Sequence, residues 1–229
     1  MHIDDAVRIL ATHYGLSGEV SELESERDDN VRVTTSHASF VLKVAAASDG
    51  PFLSVQDNVL RLLESYPALN EPRLIPTSDG ADSVVLPDGR IARLLTWIDG
   101  DIWSPDLRGN ATAVRALGRA VAGLDLALAD FDTAQIQETV SRSLGWDVMK
   151  SDELLQHIDL IQDSEIREIV RTILSDFCRD QLPILKQMPA QLIHNDANDN
   201  NIVVTASGAV SLIDFGDMII APRVAGLAV

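Results

Sequence analysis

Apolar positions at regular spacing predict two helices and two antiparallel hairpins in the first part of the chain. From Ile3 to Tyr14 the apolar residues recur at helical spacing, and Gly15 follows where the end of a helix favours a left-handed residue. β-Branched residues alternate with polar ones in the predicted strands, and Pro87-Asp88-Gly89 is a strong turn signal. The predicted elements are a helix over 3–14, strands over 31–35 and 39–45, a helix over 52–66, and strands over 83–86 and 90–97.

The pattern changes after Asp99-Gly100 from short strands to long helices. One apolar stripe runs from Val114 to Phe131 and another from Ile166 to Phe177, each at helical spacing. We predict strands, separated by functional loops, for three short apolar runs at 191–194, 201–204 and 210–214. The change of pattern predicts two lobes, 1–98 and 99–229, joined by a short hinge.

The charge balance excludes two classes of partner. The formal net charge is -17, whereas nucleic acid and anionic membranes are bound by clustered Lys and Arg side chains. We therefore expect no nucleic acid and no membrane as partner. Any phosphate that the chain binds must be neutralised locally by a Lys, a helix N-terminus or a divalent metal.

The chain has the features of a cytoplasmic protein. Its one cysteine, Cys178, cannot form a disulfide within the chain, and the N-terminus lacks the basic region and apolar run of a signal peptide. The most apolar long stretch, 111–131, contains Arg115, Arg119 and Asp125, which excludes a membrane span there. We therefore predict a cytoplasmic location.

Polar residues are concentrated between two of the predicted strands, in the segment HNDANDNNIVV at 194–204. An ordinary polar loop with Asx turns would account for this composition. A calcium loop would account for the alternating oxygen-bearing residues, but its sixth position requires Gly where the chain has Asn201, and its twelfth requires Glu where the chain has Ser207. The loop alone does not identify its chemistry.

A second segment, SLIDFGDM at 211–218, ends a predicted strand with an Asp that Phe and Gly follow. Phosphoryl transfer needs an Asp that orients the acceptor hydroxyl, an Asn shortly after it that reaches a metal, and a further Asp that bridges that metal to the ATP phosphates. Asp196, Asn201 and Asp214 supply these groups in that order. Each segment alone is a weak signal, but the ordered pair indicates a phosphotransferase.

In these two segments the chain resembles the kinase-like phosphotransferases that include aminoglycoside phosphotransferases, choline kinases and homoserine kinases. The loop of that family usually reads His-Gly-Asp, three residues, a spacer and Asn, and a strand then leads to Asp-Phe-Gly or a close variant. This chain has His194-Asn195-Asp196, then Asn201 and Asp214-Phe215-Gly216, so that Asn195 replaces the usual Gly. The segments LLTWIDGDIW at 94–103 and LGWD at 144–147 look most like the hydroxylysine kinase branch.

The resemblance implies an α+β, bilobal, protein-kinase-like fold with a sheet-bearing N-lobe and a helical C-lobe. It implies that the N-lobe binds the nucleotide and that the C-lobe carries the catalytic loop. Asp196 would then be the catalytic residue, and Asn201 and Asp214 would hold magnesium. His194 would be a structural hydrogen-bonding residue rather than a base.

The resemblance also implies the nucleotide contacts. Lys43 matches the strand lysine that pairs with the α and β phosphates of ATP. A helix Glu usually accompanies that lysine, but the matching position here is Gln56, with Asp57 beside it, so that the sequence does not identify the partner of Lys43. The hinge at 95–98 would hold adenine through its backbone, with Leu95 and Trp97 as cofactor-binding residues.

The implied reaction is ATP- and magnesium-dependent transfer of a phosphoryl group to a hydroxyl of a small amine-bearing acceptor, of the hydroxylysine, amino alcohol or amino sugar type. The alternative is a nucleotide-binding regulatory module of a larger enzyme, without transfer activity. Relatives continue beyond the final strand with further helices, so that we expect an N-terminal fragment with an incomplete C-lobe. Similar modules occur fused to pyridoxal-phosphate-dependent enzymes. The candidates for a self-association surface are Ile219, Ile220, Val224, Leu227 and Val229.

Overall fold

The computed structural model describes residues 1–25, 27–141 and 144–227. The chain forms two compact units, one of Met1–Ala127 with Asp199–Ile213 and one of Leu128–Asn198 with Asp214–Val229. The helices are α1 (Ile3–Ile9), α2 (Gly50–Leu63), α3 (Ala111–Leu128), α4 (Gln137–Val140), α5 (Ser164–Asp176) and α6 (Leu182–Leu185). The strands are β1 (Glu19–Leu23), β2 (Asp29–Thr34), β3 (Ser39–Ala45), β4 (Leu74–Ile75), β5 (Val84–Val85), β6 (Ile91–Thr96), β7 (Asp101–Ile102), β8 (Ala190–Ile193), β9 (Ile202–Val204), β10 (Val210–Leu212) and β11 (Ile219–Pro222).

The division into units differs from the lobe boundary expected at residue 98. Most of α3 and the hairpin of β9 and β10 belong to the first unit, together with the N-terminal sheet. The assignment of nucleotide binding to 1–98 and of catalysis to 99–229 stays a prediction. Among the described residues, no helix combines the length and the apolar composition that a membrane span requires.

The first unit contains an antiparallel sheet of order β1-β2-β3-β6-β4, in which β5 also pairs with β6. Both predicted hairpins are confirmed, because β2 pairs with β3 and β5 pairs with β6. Gly89 lies in the turn of the second hairpin at φ 86, a conformation that glycine adopts without strain. The predicted N-terminal helix is confirmed as α1 with a π-helical turn over Leu10–Tyr14, and it ends at Gly15 with φ 62.

The two faces of this sheet have different chemistry. Apolar side chains of β2, β3 and β6 pack against α1 on one face, and the residues buried there include Val31, Val33, Leu42, Val44, Ala92 and Leu94. Side chains alternate between the faces of a strand, so that the intervening residues project from the other face. Asn30, Lys43 and Arg93 lie side by side on that other face, since Lys43 is in register with both neighbours. Helix α2 contacts this second face through Arg93.

A second sheet of the first unit has the order β10-β9-β7, and β10 lies at its edge. Trp103, Ile202 and Val210 form its buried core, against which Ala116, Leu117 and Ala120 of α3 pack. A Cβ atom at Gly100 would lie 2.5 Å from the carbonyl oxygen of Val204. Only glycine therefore fits where the chain enters β7.

The second unit combines α4, α5 and α6 with a two-stranded sheet in which β11 pairs with β8. Its core contains Leu144, Ile193, Ile219, Ala221 and Ala225. The predicted helix over 166–177 is confirmed as α5, and Asp163 caps its N-terminus by accepting from the N–H groups of Glu165 and Ile166.

The apolar residues near the C-terminus are not all exposed, so that they do not all belong to one exposed self-association surface. Ile219 is buried and pairs with Ile193, so that its assignment to that surface is wrong. Val224 and Leu227 are exposed, whereas Val229 lies outside the described residues. Self-association stays a prediction.

Candidate active site

The loop that follows β8 is held by a ring contact with Phe215 and by hydrogen bonds between its own residues. His194 and Asn195 are buried, and the His194 ring meets the Phe215 ring edge to face at 4.8 Å between centroids. The Asp196 N–H donates to His194 Nδ1 at 3.3 Å, and Asn198 Nδ2 donates to Asp196 Oδ1 at 2.7 Å. His194 thus accepts a hydrogen bond within the loop, which agrees with a structural role for this side chain.

Asn195 has a backbone conformation that accounts for its place in the loop. Its φ is 62, in the left-handed region that glycine adopts freely and that Asn tolerates better than most residues. Asn195 therefore retains the backbone geometry that Gly would give at this position. Its side chain is 2% exposed, and the amide Nδ2 has no hydrogen-bond partner.

The turn at 214–217 has the same unusual backbone at its first residue. Asp214 lies at φ 60 and ψ 82, and its Oδ1 accepts from the N–H of Gly216 at 3.1 Å. Phe215 is buried and contacts His194, while the Asp214 side chain is exposed. Pairing of β11 with β8 sets these two segments of the second unit next to each other, so that Asp196 and Asp214 lie on neighbouring segments.

Asn201 belongs to the first unit. It ends a 3-10 turn, Asp199–Asn201, that leads into β9, and its carbonyl accepts from the N–H of Ile213 at 2.9 Å. Ile213 is the residue before Asp214. Arg108 forms an ion pair with Asp199 at the start of this turn.

The predicted magnesium-binding side chains belong to different units, Asn201 to the first and Asp214 to the second. Among the described residues, no group of three or more His, Cys, Asp or Glu side chains could hold a metal ion. Asn201 and Asp214 offer one amide and one carboxylate side chain. Magnesium in proteins is usually held by one or two carboxylates together with waters and substrate phosphates, so that each of these oxygen donors is of a suitable type. Their role in holding magnesium stays a prediction.

The helix residues expected near Lys43 bind a different cation. Arg93 Nη1 donates to Asp57 Oδ1 at 2.7 Å, and Arg93 Nη2 donates to Gln56 Oε1 at 2.7 Å. Burial raises the pKa of Asp57, and the neighbouring Arg93 partly offsets that rise. Arg93 was not predicted from its sequence position, although a single Arg within the apolar run of β6 indicates a buried charge that needs a partner.

The predicted hinge residues lie at the end of β6. Leu95 is in register with Val41 of β3 and with Leu74 of β4. The Trp97 N–H donates to the carbonyl of Ser39 at 3.1 Å, and the guanidinium of Arg32 lies 4.3 Å from the Trp97 ring centroid. Any contact between Trp97 and adenine would therefore use its ring or its carbonyl.

Comparison with known proteins identifies a family for this chain. Residues 19–229 match the phosphotransferase enzyme family. Hydroxylysine kinase of Mus musculus is 24% identical to this chain, in an alignment that covers 87% of this chain and 60% of the mouse protein. The chain thus spans about 60% of the length of that curated relative.

Solved structures show the same fold at low sequence identity. An amicoumacin kinase in complex with AMP-PNP and Ca2+ aligns with a TM-score of 0.72 at 14% identity, covering 100% of this chain and 68% of that one. Spectinomycin phosphotransferase in complex with ADP and spectinomycin aligns with a TM-score of 0.68 at 15% identity, covering 99% and 72% respectively. The predicted α+β, kinase-like fold is confirmed, and the chain belongs to the phosphotransferase enzyme family.

Proposed function

We propose that this chain is the catalytic part of an ATP-dependent kinase that phosphorylates a hydroxyl of a small, amine-bearing molecule. The observation that carries the proposal is the left-handed backbone of Asn195 and Asp214, at φ 62 and φ 60. Non-glycine residues held in this conformation cluster at functional sites, because the surrounding structure must stabilise them. Here one precedes Asp196 and the other is the Asp of the Asp-Phe-Gly turn.

Asp196 acts on the acceptor in the proposed reaction. The acceptor hydroxyl oxygen forms a bond to the γ-phosphorus while the bond from that phosphorus to the bridging oxygen of ADP breaks. Asp196 orients the hydroxyl and takes up its proton. The hydrogen bond from Asn198 Nδ2 to Asp196 Oδ1, at 2.7 Å, supports this role because it restricts the orientation of the carboxylate.

Lys43 and the two metal-binding side chains act on ATP. A chain of net charge -17 repels a triphosphate unless the phosphates are neutralised locally. Lys43 would pair with the α and β phosphates. Asn201 and Asp214 would hold Mg2+, which would offset the negative charge of the phosphates during transfer.

The amine-bearing acceptor follows from similarity rather than from geometry. The mouse relative is a hydroxylysine kinase, and one structure of similar fold is a spectinomycin phosphotransferase in complex with spectinomycin. A panel of hydroxylysine, shorter amino alcohols and amino sugars, assayed for ADP release by the full-length protein, tests this class. Phosphorylation of simple diols at the same rate as of amino alcohols would refute the need for an amine.

Asp196→Asn tests the reaction itself. The substitution removes the proton acceptor but keeps the hydrogen-bonding shape, so that turnover should fall by about 10²–10⁴-fold while affinity for ATP stays nearly unchanged. Asp199→Asn is the matched control, since Asp199 lies in the same loop and is ion-paired with Arg108. Unchanged turnover in Asp196→Asn would exclude the catalytic role of Asp196. Nucleotide binding by the wild-type protein without turnover of any acceptor would instead favour a nucleotide-binding module.

A further inference from the structure

The outer edge of β10 faces side chains of the loop that joins α2 to β4. The register of β9 and β10 continues to Ile213, whose N–H donates to Asn201, so that the Leu212 N–H points away from β9. Because β10 is an edge strand, no strand accepts from this N–H. The Glu71 carboxyl accepts instead, with 2.8 Å between Leu212 N and Oε2.

Asn70, the residue before Glu71, binds Ser211, the residue before Leu212 in β10. Asn70 Nδ2 donates to Ser211 Oγ at 2.8 Å, and the Ser211 side chain is fully buried. Three consecutive residues, 211 to 213, are thereby fixed by Asn70, Glu71 and Asn201. The strand leads directly into Asp214.

Glu71 is an unusual group for such a place. Its side chain is 2% exposed, and its second oxygen, Oε1, has no hydrogen-bond partner. Burial raises the pKa of Glu71 to about 8, while the Leu212 N–H and the charge of Arg73 act in the opposite direction. Burying a carboxyl group is unfavourable, so that a residue needed only to fill space here would be apolar.

We infer that Asn70 and Glu71 are positioning residues of the phosphotransferase, which hold the end of β10 and thereby set the backbone that carries the metal-binding Asp214. This inference rests on the proposed function. Groups that orient a metal ligand typically change metal affinity or activity by about 10–100-fold when they are removed. Removing either side chain should therefore weaken magnesium-dependent binding of the nucleotide while the protein still folds.

Glu71→Leu and Glu71→Gln separate positioning from packing. Leu fills a similar space without an acceptor, whereas Gln keeps an oxygen for the Leu212 N–H. We expect Glu71→Leu to weaken the gain in ADP affinity that magnesium provides by about 10-fold, and Glu71→Gln to restore it. Glu64→Leu is the matched control, because Glu64 follows α2 and pairs only with the exposed Arg61 among its described contacts.

The measurements are calorimetric titration of ADP with and without Mg2+, and hydrogen exchange of the Leu212 amide in the same proteins. Faster exchange at Leu212 together with weaker magnesium-dependent binding in Glu71→Leu supports the inference. Wild-type binding in Glu71→Leu, or equal loss in Glu71→Gln, overturns it. If Glu71→Leu does not fold, Asn70→Ala gives the same test, because it removes the hydrogen bond to Ser211. We expect a smaller loss of the magnesium-dependent gain in ADP affinity in this variant, and wild-type binding would overturn the inference. Equal ADP affinity of the wild-type protein with and without Mg2+ would instead refute the proposed metal role of Asn201 and Asp214. It would also refute the positioning role of Asn70 and Glu71.

Discussion

Breaking the buried ion pair between Arg93 and Asp57 should destabilise the chain by unequal amounts, depending on which partner is removed. Arg93 is 2% exposed and lies 2.7 Å from the Asp57 carboxylate. Removing one member of such a pair leaves an uncompensated buried charge, at about 3–5 kcal/mol. We expect this full loss for Asp57→Leu, because a guanidinium cannot release its proton to become neutral.

Arg93→Met should be less damaging because Asp57 can take up a proton. The loss should then be about 1–3 kcal/mol, the usual range for a hydrogen-bonding group left without its partner. Arg93 lowers the pKa of Asp57 against the effect of burial, so that the pKa rises further in this variant. An acid whose folded-state pKa exceeds its unfolded value contributes stability at low pH and loses it as the pH rises. The deficit of Arg93→Met should therefore grow as the pH rises from an acidic value below the ordinary carboxyl range to a neutral one.

Urea unfolding followed by circular dichroism at these two pH values measures both effects. The double variant Asp57→Leu/Arg93→Met should recover much of the loss, since an apolar pair of similar volume can replace a buried ion pair. Arg61→Met is the control, because Arg61 lies on the same helix in partly exposed ion pairs with Glu64 and Asp82. Each such pair should contribute less than about 1 kcal/mol. Equal losses for the two single variants, or a double variant equal to their sum, would refute this account.

Two further outcomes follow from groups near the proposed site. Asn195→Ala should lower the free energy of unfolding by about 1–2 kcal/mol relative to Asn195→Gly, because Ala disfavours the observed φ of 62. Thermal unfolding of both variants measures this difference, and equal stabilities would contradict the prediction. The pKa of Glu71 is raised to about 8, so that wild-type stability should fall as the pH rises from the ordinary carboxyl range through about 8. Glu71→Gln should lack this fall in urea unfolding between the same pH values, and identical pH profiles would show that Glu71 does not titrate there.

The sequence predicted the elements whose apolar pattern is clear. The hairpin of β2 and β3, helix α3 and the short strands around 194–214 all carry strong apolar periodicity, and the structure contains them. Strand β1 was missed because its residues are mostly exposed, so that apolar alternation is absent. Strand β4 was missed because it has only two residues.

The order of the polar motifs predicted the candidate site residues but not the residues around them. Arg93 binds Asp57 across 36 positions of the chain, and Glu71 binds Leu212 across 141. Local spacing carries no information about such contacts, because they depend on how the strands and helices pack. The left-handed backbone of Asn195 is a further case, since its sequence showed only a departure from Gly.

The exposed strand β1 has a consequence for aggregation. It forms one edge of the larger sheet, where unpaired backbone groups could recruit a strand of another molecule into an intermolecular sheet. Glu19, Ser21 and Glu22 are exposed along this edge. Charged side chains on an edge strand oppose growth of such a sheet, because the like charges of an incoming copy repel them. The polar residues that made β1 hard to predict thus protect the edge of the sheet against pairing with further copies of the chain.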